Sequence, residues 1–284
     1  MLIFRQSGQL GNQIFQYAAL RSLCEPEEEL VLLGFSDLQS TFNIIDAKII
    51  NVDHSILKRI MYYKLFPNLL NWLSDKSLIT NISEGYHLSQ YELIKKEGIF
   101  NSIKFVNQAY FQNETLLCPE VIKNLVFRSD LLSKTKHLLK VISPSNTNIF
   151  VHIRRGDYLF WPSKENPAVL PAKYYRKCID YIYSHISNPF FIFTSDDPLY
   201  VRDFFGDLKN SYISKSSAFE DFVLMSHCSG GILSASSFSW WSAYFAQFHH
   251  PKGIFLAPKY WVGHLSKTWY PSTIESSFLS YIDF

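Results

Sequence analysis

Hydrophobic and polar positions change period several times along the chain, and each change marks an element. "MLIFRQ" at the start is apolar enough for a buried strand, and a glycine-containing turn follows it. "QIFQYAALRSL" then places Ile14 and Ala18, and Phe15 and Ala19, four residues apart, which predicts a helix with one apolar face. "ELVLLGF" predicts the next strand. From about Ser55 to Ile94 the chain is aromatic and helix-like, with few punctuating residues. Beyond residue 148 the pattern is regular. The strands "IFVHI", "FFIFT", "GGILS" and "GIFLAP" are separated by the helical stretches "PAKYYRKCIDYIYSHI", a helix opening at "DDP", "AFEDFVLMSHC" and "SWWSAYFAQF". That alternation predicts parallel α/β layers.

"SPSNTN", Ser143 to Asn148, gathers Pro, Ser and Asn between the helical "LLSKTKHLLKVI" and a strand, as a linker does. It divides the chain into an N-terminal domain, 1–145, and a C-terminal domain, 146–284. With 47% hydrophobic, 17% aromatic and 18% charged residues, the 284-residue chain lies far from the composition of disorder. The formal net charge of +2 excludes a bulk electrostatic footprint for nucleic acid. The four cysteines, Cys24, Cys118, Cys178 and Cys228, are far apart, with neither a CxxC pair nor metal-ligand spacing, and read as small buried hydrophobes. No segment approaches the eighteen or so apolar residues of a membrane span. These features lead us to expect a cytoplasmic protein, with peripheral contact to the inner membrane face left open.

Three loops of the C-terminal half fall just past predicted strand ends, where open parallel sheets collect ligands. The first, "HIRRGD", holds His152, Arg154, Arg155 and Asp157; the second, "FTSDDP", holds Asp196 and Asp197; the third, "SASSFSWW", holds Ser236, Ser237 and Phe238. Each has a plainer reading. The arginines can pair with Asp157 and other carboxylates, Asp196 or Asp197 before Pro198 can cap a helix, and so can Ser236 or Ser237. Together, guanidinium groups, a carboxylate pair and a hydroxyl-rich helix N-terminus suit a guanine nucleotide. Arginine meets the diphosphate bidentately, the helix N-terminus takes phosphate oxygens, and a carboxylate accepts the guanine N–H groups. The chain has no GxxxxGK[ST] phosphate loop, no GxGxxG after the first strand and no Asp-x-Asp triplet for a diphosphate-bound metal. Arginine would then do a metal's work.

"GQLGNQIFQYAAL", "HIRRGDY", "TSDDP" and "SSFSWWSAYF" resemble, in order and spacing, the motifs of bacterial α-1,2-fucosyltransferases, glycosyltransferase family 11. "AYFQNE", from Ala109 to Glu114, also looks like a family segment. The resemblance implies an α/β fold of GT-B type, with two Rossmann-like domains facing a cleft. It implies an acceptor-side N-terminal domain and a GDP-fucose-binding C-terminal one, whose tail can return to the first. By the same carry-over, His152 and Asp196 or Asp197 contact guanine or ribose, Arg154 the β-phosphate, and Ser236, Ser237 and Phe238 the phosphates. Arg155 orients the loop, with Asp157 as its expected partner. Gly11 and Asn12 of the "GNQ" turn face the diphosphate or fucose. One departure stands out: Gln9 occupies a place where the family has glycine.

The implied reaction is inverting transfer of L-fucose from GDP-β-L-fucose to a glycan hydroxyl, O2 of a terminal galactose, without a metal or other cofactor. Two alternatives stay open: a GDP-sugar transferase of another sugar or linkage, and a non-catalytic GDP-sugar-binding protein. Asp157, Glu165 and Glu220 are the carboxylates near motifs from which a base would come, and the sequence does not choose among them. Trp240 and Trp241 sit at helical positions among apolar neighbours and read as core.

Overall fold

A computed structural model describes residues 1–51, 56–87, 90–107, 109–143 and 147–284. The chain forms two compact units, Met1–Arg128 and Ser129–Phe284. Each is built on a largely parallel sheet, which the alternating pattern beyond residue 148 predicts for the second.

In the first unit the described strands lie in the order Lys48–Ile50, Leu30–Leu33, Leu2–Arg5, Phe100–Val106, Ile79–His87 and Gln90–Lys96. All neighbours are parallel except the last pair. Leu2 to Phe4 and Leu30 to Leu33 are continuous, buried apolar runs, because a parallel sheet covered on both faces has no wet side. The Leu10–Leu23 helix that follows the first strand is buried nearly all round from Leu10 to Leu20. The helix-like reading from Ser55 to Ile94 holds only for its first half. Helical structure runs from Ile56 to Asp75, and the chain then turns into the antiparallel strands Ile79–His87 and Gln90–Lys96. Residues 55 and 88–89 within that stretch lie outside the described residues.

In the second unit the order is Ser211–Ile213, Pro189–Ser195, Thr147–Ile153, Gly230–Ile232, Phe255–Pro258 and Ser280–Ile282, all parallel. Its core joins Ile149, Val151, Phe191, Phe193 and Ile232 from the strands to Tyr174, Tyr175, Cys178 and Ile182 of the Ala172–His185 helix. Trp240 and Trp241 are fully buried, and the Trp240 Nε1–H donates to Ser276 Oγ at 2.8 Å. Cys178 and Cys228 are buried as expected, whereas Cys24 and Cys118 are only half-buried.

The proposed junction at 145/146 lies outside the described residues, and the compact units divide earlier, at Arg128/Ser129. The reason is the Ser129–Ile142 helix. It packs on the Ala218–Met225 helix of the second unit, where Lys134 Nζ meets Glu220 Oε1 at 2.7 Å. The tail closes on the second unit as well, since Ser280–Ile282 pairs with Phe255–Pro258.

Candidate functional site

Thr147–Ile153 lies between Pro189–Ser195 and Gly230–Ile232, so three adjacent parallel strands deliver their C-terminal loops to one edge of the sheet. His152, Arg154, Arg155, Asp196, Asp197, Ser236, Ser237 and Phe238 are gathered there within the second unit. Gly11 and Asn12 belong to the first unit.

Arg154 is held by two carboxylates. Its Nη2 and Nε donate to Asp157 Oδ1 at 2.7 and 3.1 Å, and its Nη1 lies 3.1 Å from Asp196 Oδ2. The Asp157 side chain is 62% exposed, against 23% for Arg154. Its carboxylate is therefore the member of the network that an incoming anion can displace. Arg155 is more enclosed in function. Its Nε donates to Asp197 Oδ2 at 3.0 Å, and its guanidinium lies 3.7 Å from the centroid of the Tyr200 ring, a stacked cation–π contact. Asp157, expected to orient Arg155, instead pairs with Arg154. The partner of Arg155 comes from the neighbouring strand end.

Asp196 spans the loops, because its Oδ1 accepts the Arg155 backbone N–H at 2.8 Å. Asp197 is the N-cap of the Pro198–Phe205 helix, accepting the Tyr200 N–H at 3.1 Å, with Pro198 in the first turn. That hydrogen bond, helped by Arg155, holds the Asp197 carboxyl below the usual range. The capping reading thus describes Asp197, while Asp196 serves the arginines.

His152 is 6% exposed, with Nδ1 2.7 Å from Ser234 Oγ. Burial, reinforced by the Arg154 charge, lowers its pKa to about 3, so the ring is a neutral imidazole at physiological pH. It lies 5.4 Å from the Phe238 ring, which in turn meets Phe222 edge-on at 5.2 Å. Ser236 caps the Ser237–His249 helix by accepting the Phe238 N–H at 3.3 Å. The helix N-terminus opens at the same sheet edge as the arginine loop, with Ser237 in its first turn, an arrangement suited to an anion.

Sequence reasoning missed two contributors to the site, Tyr158 and Ser234, and one buried acid, Asp221. Tyr158 donates its hydroxyl to the Ala235 carbonyl at 3.0 Å and carries Arg154 5.7 Å over its ring, so it ties the first loop to the third. Ser234 fixes His152. Asp221, on the Ala218–Met225 helix, is buried with the Ser214 hydroxyl donating to it, and burial raises its pKa to about 7. Tyr158 closes the quoted "HIRRGDY", Ser234 opens "SASSFSWW" and Asp221 lies in "AFEDFVLMSHC", but nothing in those stretches marked their partners. Of the carboxylates weighed as a base, Glu220 is committed elsewhere. It completes a capping box with Ser217 and pairs with Lys134, and these contacts lower its pKa to about 2.

In the first unit, Asn12 Oδ1 accepts from Gln112 Nε2 at 2.7 Å, which joins the "GNQ" turn to the "AYFQNE" segment. The Tyr110 and Phe111 N–H groups donate to Glu84 at 2.8 and 2.9 Å, which pins that segment with Phe111 at φ +54°. Gln9 at the glycine position is unstrained, with φ −94°, ψ −171°. The positive φ falls on Gly8, at +89°, where a Cβ would stand 2.3 Å from Asn12 Nδ2.

Comparison with known proteins places this geometry. The chain is 28% identical to the O-antigen biosynthesis glycosyltransferase WbnK of Escherichia coli, over 92% of this chain and 95% of that one. It is 27% identical to an α-1,2-colitosyltransferase of Escherichia coli, over 92% of each chain. A galactoside α-(1,2)-fucosyltransferase 2 of Rattus norvegicus is 22% identical, over 87% of this chain and 67% of that one. In fold, the α-1,6-fucosyltransferase NodZ, co-crystallised with GDP, superposes with a TM-score of 0.52 at 12% identity, covering 90% of this chain and 94% of that one. The two α/β units with parallel sheets are thus of GT-B type. The family model "Glycosyl transferase family 11" matches residues 2–268, and the chain belongs to that family of glycosyltransferases.

Proposed function

We propose that the protein transfers L-fucose from GDP-β-L-fucose, with inversion, to O2 of a terminal galactose on a glycan acceptor. The observation that carries this reading is the suspension of Arg154 between Asp157 and Asp196, on the sheet edge where the Ser237–His249 helix also begins and to whose loop Tyr158 ties it. Departure of GDP from an oxocarbenium-like transition state gathers negative charge on the β-phosphate. A planar guanidinium fixed in advance and a helix N-terminus answer that charge without reorganising. In this reading Arg154 exchanges the exposed Asp157 carboxylate for the diphosphate, and Asp196 keeps the fork oriented. Arg155, locked between Asp197 and Tyr200, shapes the loop. Neutral His152 and the Phe238 ring face the nucleoside, and Gly11 and Asn12 serve the sugar side. The arginine pair supplies the positive charge for which other sugar-nucleotide transferases use a divalent metal, so none is required.

Fucose and the α-1,2 linkage are supported by the rat galactoside fucosyltransferase. The α-1,2-colitosyltransferase favours a second reading, in which the same linkage is made with a different deoxysugar. Incubation with a panel of GDP- and UDP-sugars and galactose-terminated acceptors, followed by mass spectrometry and linkage determination, separates the readings. The proposal expects a single deoxyhexose added at galactose O2 from GDP-fucose. Transfer only from another donor supports the second reading, and GDP binding without transfer to any acceptor leaves a binding protein.

A further inference from the structure

The helical segment Ile56–Asp75 is apolar on two sides, and only one of them is used by the fold. It runs as α-helix over Ile56–Ile60, as a π-helical turn over Met61–Leu65 and as α-helix again over Phe66–Asp75. On the inner side Tyr62, Phe66, Leu70 and Leu73 pack against the first sheet through Ile3, Val31 and Phe105. On the outer side Leu57 is 79% exposed, Ile60 45%, Met61 46%, Leu65 59%, Leu69 51% and Trp72 53%. Single exposed apolar residues are ordinary, but a contiguous row of them is not.

The π turn gives that row its shape. Leu57, Met61, Leu65 and Leu69 follow one another at steps of four residues, and Trp72 comes three later. In an unbroken α-helix each step of four drifts by about 40° around the axis, so the row would wind out of line. The wider i→i+5 turn at Met61–Leu65 absorbs the drift and keeps the row on one side. A helix interrupted in this way aligns its outer face as well as its inner one.

The charges select the occupant. Between residues 56 and 76 the sequence carries Lys58, Arg59, Lys64 and Lys76 against the single acid Asp75. Lys64 and Lys76 are exposed beside the row. Aliphatic side chains and a tryptophan edged with cations are what an anionic bilayer surface accepts, the apolar face entering the acyl boundary and the cations meeting headgroup phosphates. A second copy docked by two-fold symmetry would instead set this cationic edge against itself. Among the described residues no helix is long and apolar enough to cross a membrane, so the segment lies along the surface.

We propose that the outer face of Ile56–Asp75 is a membrane-docking surface that seats the protein on an anionic phospholipid bilayer. The inference stands apart from the donor assignment, because it uses neither the arginines nor the nucleotide.

The full chain is to be sedimented with phosphatidylcholine vesicles that contain or lack phosphatidylglycerol, at low and high salt. It should partition onto the anionic vesicles, bind neutral ones far more weakly, and release as salt rises. The triple variant Leu65→Ser, Leu69→Ser, Trp72→Ser should weaken partition by about tenfold or more, since most of the buried apolar area is gone. Lys64→Gln, Lys76→Gln, both at exposed positions, should markedly weaken the preference for anionic lipid while leaving every core residue intact. Both variants should retain wild-type circular dichroism, melting temperature and GDP affinity. Wild-type protein that remains in the supernatant with anionic vesicles overturns the proposal. So does vesicle binding that neither variant alters, or a wild-type dimer in sedimentation velocity that the serine variant dissociates.

Discussion

Asp196 holds Arg154 from the neighbouring strand end, its Oδ2 3.1 Å from Arg154 Nη1, while its Oδ1 accepts the Arg155 backbone N–H at 2.8 Å. One carboxylate thus fixes a side chain that faces the ligand edge and the main chain of the next residue. Asp197, adjacent in sequence, caps a helix instead. The two aspartates should separate on mutation. Asp196→Ala should weaken GDP binding by about 1 kcal/mol, roughly fivefold, by freeing the fork. Asp197→Ala should chiefly cost about 1 kcal/mol of stability through the lost cap. Calorimetry of GDP binding and denaturant melts of both variants check this, and equal loss of affinity in the two would remove the distinction.

Gly156 is placed against the same carboxylate. A Cβ there would stand 2.6 Å from Asp196 Oδ2, so that oxygen must move although the backbone need not. Gly156→Ala should leave the melting temperature nearly unchanged and lower GDP affinity as Asp196→Ala does. A large stability loss with intact affinity would place the strain elsewhere.

His152 and Asp221 make opposite demands on pH. The histidine titrates near 3 in the fold against 6.5 for the unfolded side chain, so the unfolded state binds more protons between those values and stability falls as pH drops below 6.5. Asp221 titrates near 7 in the fold against 3.8 unfolded, so the native state holds more protons and stability rises as pH drops below 7. From about pH 4 to 6.5 the two slopes oppose each other. Asp221→Asn keeps an oxygen for the Ser214 hydroxyl but cannot titrate. Urea melts across that range should show it losing up to about 1.4 kcal/mol per pH unit more than wild type on acidification. Parallel slopes for the two proteins would contradict the assignment.

Charge on the leaving group is assigned to arginine, so excess EDTA should leave the initial rate of transfer essentially unchanged. A loss restored specifically by Mn²⁺ or Mg²⁺ would show that a metal shares the diphosphate.

Local motifs were the legible part of this chain. Each site loop is a short stretch after an apolar strand, so residue type and spacing within a few positions sufficed to find it. What escaped depends on which strands become neighbours. Asp157 was assigned to Arg155 because it is near in sequence, but the Pro189–Ser195 strand pairs beside Thr147–Ile153 and brings Asp197 to that guanidinium. Ser234 reaches His152 across 82 positions in the same way. In the first unit, little between Asp75 and Ile79 marks the end of a helix, so the strand pair Ile79–Lys96 was absorbed into a helix-like run. Linker composition marks where a chain turns, whereas the packing of Ser129–Ile142 on Ala218–Met225 decides the compact unit to which that helix belongs.

The central claim is that Arg154 holds the charge that develops on the departing diphosphate, and the measurement that meets it most directly is the single-turnover rate of fucosyl transfer at saturating GDP-fucose. Arg154→Ala should lower that rate by on the order of 10²–10³ while circular dichroism and melting temperature stay at wild-type values. Arg154→Lys, which keeps the charge but loses the planar fork, should remain impaired. A near-normal rate in Arg154→Ala, or a rate that falls only in step with the melting temperature, would contradict the account and leave the arginine as a structural ion pair of the loop.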